Sequence, residues 1–313
     1  MKLKTFKDAT GIIEYPLTAD LVFHYVMQQS ERALINLVCA LKGIPPEIVV
    51  SIEVMNPIDL NGNIKETVMD LKLVLNNNEI INIELQMYTD EYWISRSILY
   101  LCRAYDSIKE GDNYSLLKPT THIYITDKDL IKNNDQFYSQ YLLMNTKTHE
   151  LYSTDFGINV LQLSHIDNAT QDDIDNNLVY WARLFRATTW EEFIALADGN
   201  EIIEEVGDLI FTLNTDDQSK ELLEGRRRYR EQLATSYAAG EINATKKLNS
   251  VIEEKDAIIA DKDATIADKD ATIADNKATI ADKDATIASK DATIAELQAR
   301  IKELEKSNDD SKA

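Results

Sequence analysis

Cysteine and glycine, on which disulfide-bonded and many cofactor-binding proteins depend, are scarce in this sequence of 313 residues. The two cysteines, Cys39 and Cys102, lie in apolar, helix-like runs without a Cys-x-x-Cys pair, which disfavours a disulfide scaffold and a zinc site. Nine glycines occur without a Gly-x-Gly pair, so a P-loop and a Rossmann fingerprint are excluded. We therefore expect no nucleotide cofactor.

Histidines are few, and long apolar runs are absent. There is no Gly-x-Ser-x-Gly elbow, and the four histidines lack metal-ligand spacing; they are His24, His122, His149 and His165. We predict structural roles for His122 and His165, in or beside strands. No apolar run approaches the roughly 20 residues that span a membrane, and the opening residues MKLKTFKDATG lack the apolar stretch of a signal peptide. We expect a cytoplasmic protein without membrane contact.

Basic residues are outnumbered by acidic ones: the sequence has 33 basic and 54 acidic residues, which gives a formal net charge of −21. Residues 1–250 alone carry a net charge of −15, so the C-terminal tail does not account for it. This negative charge argues against a protein that binds nucleic acid chiefly by neutralising phosphates. A polyanion would need bound metal ions or a local basic patch, such as Arg226, Arg227, Arg228 and Arg230. A solvated helix face explains that cluster equally well.

Hydrophobic periodicity predicts a helix, three strands, a helix, a strand and then further helices. The first helix covers residues 17–43 and is ended by Gly43, and the strands cover 47–56, 67–75 and 79–87. Asparagine tolerates left-handed backbone angles, so the run Asn76, Asn77, Asn78 predicts a hairpin turn between the last two strands.

A second helix is predicted over residues 92–111, ended by Gly111. The apolar residues expected on one face of it are Ile94, Ile98, Leu101 and Tyr105. A short strand is predicted over 121–127, and amphipathic helices from 175 to 198 and on through about 239.

From about residue 246 the sequence consists of tandem copies of a seven-residue unit close to KDATIAD. Isoleucine recurs every seventh residue from Ile252 to Ile301, which predicts a heptad-repeat helix. With isoleucine at heptad position a, position d is lysine or asparagine until Leu297 and Leu304. We expect weak self-association anchored by the last two heptads. A solvated single helix is the alternative.

Two acidic side chains are predicted to meet across the hairpin. Side chains alternate along a strand, and a hairpin symmetric about Asn77 sets Asp70 across from Glu84 and Lys72 across from Asn82. Cross-strand β-carbons are about 4.5–5.5 Å apart, where two carboxylates repel each other unless a cation lies between them. This geometry predicts a metal site at Asp70 and Glu84.

Oxygen ligands without histidine or thiolate favour Mg²⁺ or Mn²⁺ over zinc. A cation held there could activate water for phosphodiester hydrolysis. Gln86, on the same face as Glu84, could orient that water, and Lys72 could supply the positive charge that glutamine lacks. A polar strand face bearing these residues is also typical of a solvated sheet edge, which leaves that alternative open.

The hairpin TVMDLKLVLNNNEIINIELQMY resembles the PD-(D/E)XK nuclease superfamily, whose core places Asp on one strand and Glu-x-Lys on the next. Glu84, Leu85 and Gln86 match a variant with glutamine in the lysine's place, typical of the PD-(D/E)XK family transposases, also called recombination-promoting nucleases. LTADLVFHYVM is similar to the family's opening Asp-x-x-Phe motif, and RSILYLCRAYDSIKEGDNYSLLKP to its Arg, Tyr and Gly-x-x-Tyr segment. His24 departs from the lysine common after the phenylalanine, here Phe23, which puts phosphate binding at that position in doubt.

The resemblance implies an α/β (α+β) fold, with a restriction-endonuclease-like core whose mixed central sheet is flanked by helices. It also implies DNA cleavage dependent on Mg²⁺ or Mn²⁺, with a role in recombination or mobile-element biology. Carried over by position, Asp70 and Glu84 would hold the metal, the carbonyl of Leu85 would add a ligand, and Asp20 an outer-shell contact. Gln86 would take the place of the lysine.

The same resemblance divides the chain into a nuclease core at residues 1–130, a helical C-terminal part of the family domain at 131–245, and the heptad helix at 246–313. DNA and further copies of the chain are the expected partners. A second hypothesis is a catalytically weak or inactive nuclease-fold interaction protein, oligomerised by the tail. In a third, the tail brings two sites together to cut both strands of a duplex.

Overall fold

The computed structural model describes residues 5–58, 70–88 and 92–310. The chain divides into two compact units, Met1–Arg228 and Tyr229–Ala313. The first unit contains a mixed sheet with helices, and the second is helical over its described residues. No helix in the described ranges is both long and apolar enough to cross a membrane.

The sheet of the first unit has six strands within the described residues, in the order β1-β2-β3-β4-β6-β5. The strands are β1 (Ile52–Val54), β2 (Leu71–Leu75), β3 (Glu79–Gln86), β4 (Thr120–Thr126), β5 (Tyr138–Met144) and β6 (Leu151–Gln162). Neighbouring strands are antiparallel except β3 with β4 and β4 with β6, which are parallel. The predicted mixed α/β sheet is therefore confirmed.

Helices occupy most of the remaining chain. They are α1 (Asp20–Gln29), α2 (Glu31–Lys42), α3 (Trp93–Tyr105), α4 (Gln171–Asp175), α5 (Leu178–Arg186), α6 (Trp190–Ala197), α7 (Glu201–Thr215) and α8 (Asp217–Asp310). Short 3₁₀ turns lie at Phe6–Asp8, Pro46–Ile48, Tyr114–Leu116 and Leu163–Asn168.

The register predicted for the hairpin is confirmed where both strands are described. Asn76 and Asn77 have positive φ angles of 50° and 55°, and Lys72 pairs with Asn82. Leu71, paired with Ile83, is the first residue of β2, so Asp70 lies just before the strand. The predicted strand began at residue 67, and residues 67–69 lie outside the described ranges.

The two faces of the sheet are covered differently. One face carries buried residues such as Leu73, Ile83 and Ile123, which join the main apolar core together with residues of α1, α2, α5, α6 and α7. The other face is covered by α3, where Trp93 packs against Tyr124 and Val160. The polar residues of the candidate site lie on this second face, because they alternate along β3 with the core residues.

Two predicted elements of the N-terminal region have different boundaries. The helix predicted over 17–43 is two helices, because Ser30 ends α1 and its hydroxyl accepts a hydrogen bond of 3.3 Å from the Ala33 amide as the cap of α2. Gly43 ends α2 as predicted, with a left-handed φ of 64°. The strand predicted over 47–56 shortens to Ile52–Val54, since Pro46–Ile48 forms a 3₁₀ turn.

The helix predicted over 92–111 ends at Tyr105, and the apolar face predicted for it is not the face that is buried. The buried residues of α3 are Trp93, Ser97, Leu101 and Ala104. Ile94 and Ile98 are 57% and 48% exposed, so only Leu101 of the predicted face is buried. The side chain of Ser97 is small, and hydrophobic periodicity does not indicate its burial.

The segment predicted to be helical from residue 131 contains β5 and β6, two strands that were not predicted. Polar residues and Gly157 interrupt the alternation of β6, and register shifts on either side of Leu143 interrupt its pairing with β5. A side chain on Gly157 would meet Leu142 at 2.9 Å, so glycine here permits the close approach of β5. The predicted helix over 175–198 is likewise divided, into α5 and α6.

The heptad segment is helical, as predicted, within α8. Its repeating isoleucines, from Ile252 to Ile301, are between 46% and 58% exposed. The isoleucine stripe is therefore an apolar surface on a solvated helix.

Candidate active site

The sheet face beneath α3 collects polar side chains from four elements. Asp70 precedes β2, β3 contributes Asn82, Glu84 and Gln86, β4 contributes His122 and Tyr124, and α3 contributes Arg96. The parallel register sets Asn82 beside His122 and Glu84 beside Tyr124. Of these seven residues, Asp70, Glu84 and Gln86 were predicted from the sequence to belong to the site.

Asparagines hold Asp70 in place. Asn56 Nδ2 donates to the Asp70 carbonyl at 2.5 Å, and Asn56 Oδ1 accepts from the Lys72 amide at 2.9 Å. Asn82 Nδ2 donates to the Asp70 carboxylate at 3.2 Å. Asn56 follows β1 and Asn82 lies in β3, so residues from the strands on both sides of β2 position Asp70, Asn56 by bonding its backbone and Asn82 by bonding its carboxylate.

The Asp70 carboxylate is half-buried and electrostatically disfavoured. Burial, and then the negative charge of Glu84, raises the pKa of Asp70 from 3.8 to about 6. The Asn82 hydrogen bond and the charges of His122 and Arg96 act in the opposite direction but do not outweigh these causes. A cation between Asp70 and Glu84 would remove this repulsion.

The two oxygens of Glu84 have different surroundings. Arg96 Nη2 donates to Glu84 Oε1 at 3.2 Å. Glu84 Oε2 is buried, lies 3.4 Å from His122 Nε2, and has no hydrogen-bond partner within the described residues. A buried carboxylate oxygen without a donor is an acceptor that a hard cation can satisfy.

Gln86 is buried and both ends of its amide are engaged. Its Oε1 accepts a hydrogen bond from Arg96, and its Nε2 donates to the carbonyl of Tyr88 at 2.7 Å. The guanidinium of Arg96 therefore joins Gln86 to Glu84. Arg96 was not predicted as a site residue, although it is the first residue of the RSILYLCRAY segment. Its place on the helix that follows Glu-x-Gln is the feature of the sequence that could have indicated it.

His122 lies in β4, as predicted, but it belongs to the site. Its buried ring stacks on Tyr124 with centroids 4.3 Å apart, and its Nε2 is 3.3 Å from Asn82 Nδ2. Burial, followed by the charge of Glu84, raises the pKa of Tyr124, so this phenol stays neutral. His165 lies directly after β6, beside a strand as predicted, with Nε2 2.9 Å from Asp129.

The oxygen donors at Asp70 and Glu84 fit Mg²⁺ or Mn²⁺, which retain several water ligands. The part of the chain that the structure describes contains no group of three or more His, Cys, Asp or Glu side chains arranged to hold a metal. Backbone oxygen and water would have to complete the shell. The Leu85 carbonyl and Asp20, the first residue of α1, stay predictions as further ligands, and Lys72 stays a prediction as a charged group.

His24 and the arginine cluster of α8 also bear on phosphate binding. His24 is fully buried in α1, which agrees with the doubt about a phosphate contact there. Arg227 and Arg228 form salt bridges of 2.6 Å and 2.9 Å with Glu224, so part of the candidate basic patch is neutralised within its own helix. The solvated helix face explains these two arginines better than a phosphate site does.

A mixed sheet flanked by helices, with Asp70 and Glu84 on adjoining strand segments, agrees with the restriction-endonuclease-like core of a PD-(D/E)XK nuclease. The model of the PD-(D/E)XK nuclease family transposases matches residues 17–238, and the chain belongs to this family. Comparison with curated proteins and with solved structures gives no significant match.

Replacing Asp70 by Asn is expected to stabilise the metal-free protein. A raised pKa means that ionising Asp70 costs free energy in the folded state, so the variant gains about 2–3 kcal/mol in the free energy of unfolding at about pH 8. The gain is full above pH about 6 and declines to zero below 3.8, where Asp70 is protonated in both states. Urea denaturation in a metal chelator measures it.

The exposed Asp135 provides the control for this measurement. Asp135→Asn should change the free energy of unfolding by less than about 0.5 kcal/mol. A gain for Asp70→Asn as large at about pH 4 as at about pH 8 would contradict the electrostatic cause.

Proposed function

We propose that the chain is a divalent-metal-dependent DNA endonuclease that hydrolyses phosphodiester bonds, with a role in recombination or mobile-element biology. The observation that carries the proposal is the burial of Asp70 close to Glu84: burial, and then the charge of Glu84, raises the pKa of Asp70 to about 6. A buried oxygen of Glu84 also lacks a hydrogen-bond partner in the described residues. Membership of a nuclease family supports the same reaction class.

In this proposal Asp70 and Glu84 hold Mg²⁺ or Mn²⁺, with the Leu85 carbonyl and Asp20 as further ligands. When bound, such an ion would supply the Lewis acidity that activates water and stabilises negative charge on phosphoryl oxygens. Asn56 and Asn82 keep Asp70 in position through their hydrogen bonds. Asn82 also favours the ionised form of Asp70, which is the form that binds a metal.

We infer that Arg96, on α3, supplies the positive charge that the lysine of Glu-x-Lys would supply. Gln86 cannot supply that charge, but its amide oxygen accepts from Arg96 and so fixes the guanidinium beside Glu84. We infer that Arg96 stabilises charge developing on the scissile phosphate, and that Gln86 acts by positioning Arg96. Lys72, half-buried on β2 in register with Asn82, is the second candidate for this charge.

Supercoiled plasmid with Mg²⁺ tests the assigned carboxylates. Wild type should nick the plasmid, and Asp70→Ala and Glu84→Ala should each lower the rate by about a hundredfold or more, because each removes a metal ligand. Calorimetric titration with Mn²⁺ should show the same loss as weakened binding. Asp135→Ala should cut and bind as wild type does, and equal nicking by all four proteins would reject the site.

Replacing Arg96 tests the position of the charge. Arg96→Ala should lower the nicking rate by about ten- to a hundredfold at saturating Mg²⁺, because a donor to the transition state is lost. Arg96→Lys should recover part of the rate. Arg103→Ala, an exposed arginine of the same helix, is the matched control and should change nothing. If Arg96→Ala nicks the plasmid at the wild-type rate and Lys72→Ala does not nick it, Lys72 and not Arg96 supplies the positive charge.

A nuclease-fold interaction protein without activity is the second candidate function. Two observations favour it: the net charge of −21, and the lack of a three-residue ligand cluster in the described ranges. Wild type that neither nicks plasmid nor binds Mn²⁺ would favour this candidate over the enzyme.

We also propose that residues 246–313 bind further copies of the chain through the isoleucine stripe. Deleting this segment should lower the mass in solution measured by light scattering, and an unchanged mass would remove it from assembly. Leu297→Asn combined with Leu304→Asn should weaken association, because these are the apolar residues at position d. Lys283→Asn is the matched control, since Asn276 already occupies an equivalent position.

A further inference from the structure

Two exposed tyrosines adjoin the site residues Gln86 and Arg96. Tyr88, just after β3, is 58% exposed, and its carbonyl accepts from Gln86 Nε2 at 2.7 Å. Tyr92 caps α3, is 73% exposed, and its carbonyl accepts from the Arg96 amide at 2.9 Å. Both tyrosines are therefore hydrogen-bonded, through their backbone carbonyls, to residues of the candidate active site.

Further exposed apolar side chains lie on α3, the helix that begins after Tyr92. Ile94, Ile98 and Leu99 are each about half exposed, although residues of this kind usually pack on the sheet that their helix covers. Exposed apolar and aromatic side chains on the segments next to a site can form a surface that another molecule covers.

The charge of the protein limits how DNA can be held there. A net charge of −21 disfavours binding that depends on neutralising many phosphates. Stacking of bases on aromatic rings needs no such charge and tolerates any sequence, because every base has a π face. Base faces are available in a single strand, whereas in a duplex they are stacked on one another.

We propose that Tyr88 and Tyr92 form a stacking surface that binds unpaired bases of single-stranded DNA beside the candidate active site. The proposal rests on the proposed nuclease function and adds a substrate class to it. The bases lie on the two rings, and the backbone of the same strand passes Asp70, Glu84 and Arg96.

Fluorescence anisotropy with a labelled oligothymidine, in Ca²⁺ to prevent cleavage, tests this surface on the full chain. Tyr88→Ala and Tyr92→Ala should each weaken binding about tenfold, the loss expected for one stacked base. Tyr88→Phe and Tyr92→Phe should bind as wild type does, because the ring is kept. Binding to a blunt duplex should change by less than about twofold in all four variants.

Tyr152→Ala is the matched control, because Tyr152 is 85% exposed and lies where β6 pairs with β5 and not with β4. It should bind both DNAs as wild type does. The affinity of wild type for oligothymidine should also fall only weakly with added salt, since few phosphates are neutralised.

The outcomes separate this proposal from the one it rests on. If wild type nicks plasmid but the alanine variants bind oligothymidine as well as wild type, or lose duplex binding equally, the stacking surface is wrong and the nuclease stands. Tighter binding of an RNA of matching sequence would overturn the assignment to DNA. If wild type neither nicks nor binds any DNA, the nuclease function is wrong and the stacking surface falls with it.

Discussion

The left-handed backbone of Asn76 and Asn77 determines which residues meet across β2 and β3. Side chains alternate along a strand, so a slip of one residue would send Glu84 to the apolar core and Ile83 to the polar face. In the register that this turn sets, Leu71 opposes Ile83 in the core, and Asp70 and Glu84 belong to the other face. The composition of both faces, and every contact of Glu84 with α3, depends on that single turn.

The carboxylates on the polar face of the sheet lower the stability of the fold, and the apolar residues on the opposite face raise it. Burial and the charge of Glu84 raise the pKa of Asp70. In the described part of the chain, Arg96 provides the guanidinium that is bonded to Glu84. Sites that bind cations commonly hold such unfavourable charge in the absence of the ion. The opposite face, with Leu73, Ile83 and Ile123 fully buried, keeps the strands aligned against that repulsion.

Local signals made the hairpin predictable, and the contacts between distant segments were not. The asparagine run and the alternation of β3 lie within about twenty residues of each other in sequence, and both are properties of the backbone. Arg96 was missed because the phase of α3 was inferred from Ile94 and Ile98, which are exposed, while the small Ser97 is buried against the sheet. Likewise β5 and β6 depend on their pairing and on the lack of a side chain at Gly157 opposite Leu142, which periodicity does not record.

The repeated units of α8 are structurally alike, down to the hydroxyls of Thr265, Thr272 and Thr286, each 3.0 Å from the carbonyl four residues earlier. Gain or loss of one unit changes the helix length by about 10.5 Å and rotates the residues beyond that unit by only about 20°. The isoleucine stripe survives such a change almost in phase. The length of this helix can therefore change in whole units while the spacing of its isoleucine stripe and the residues of the sheet stay as they are.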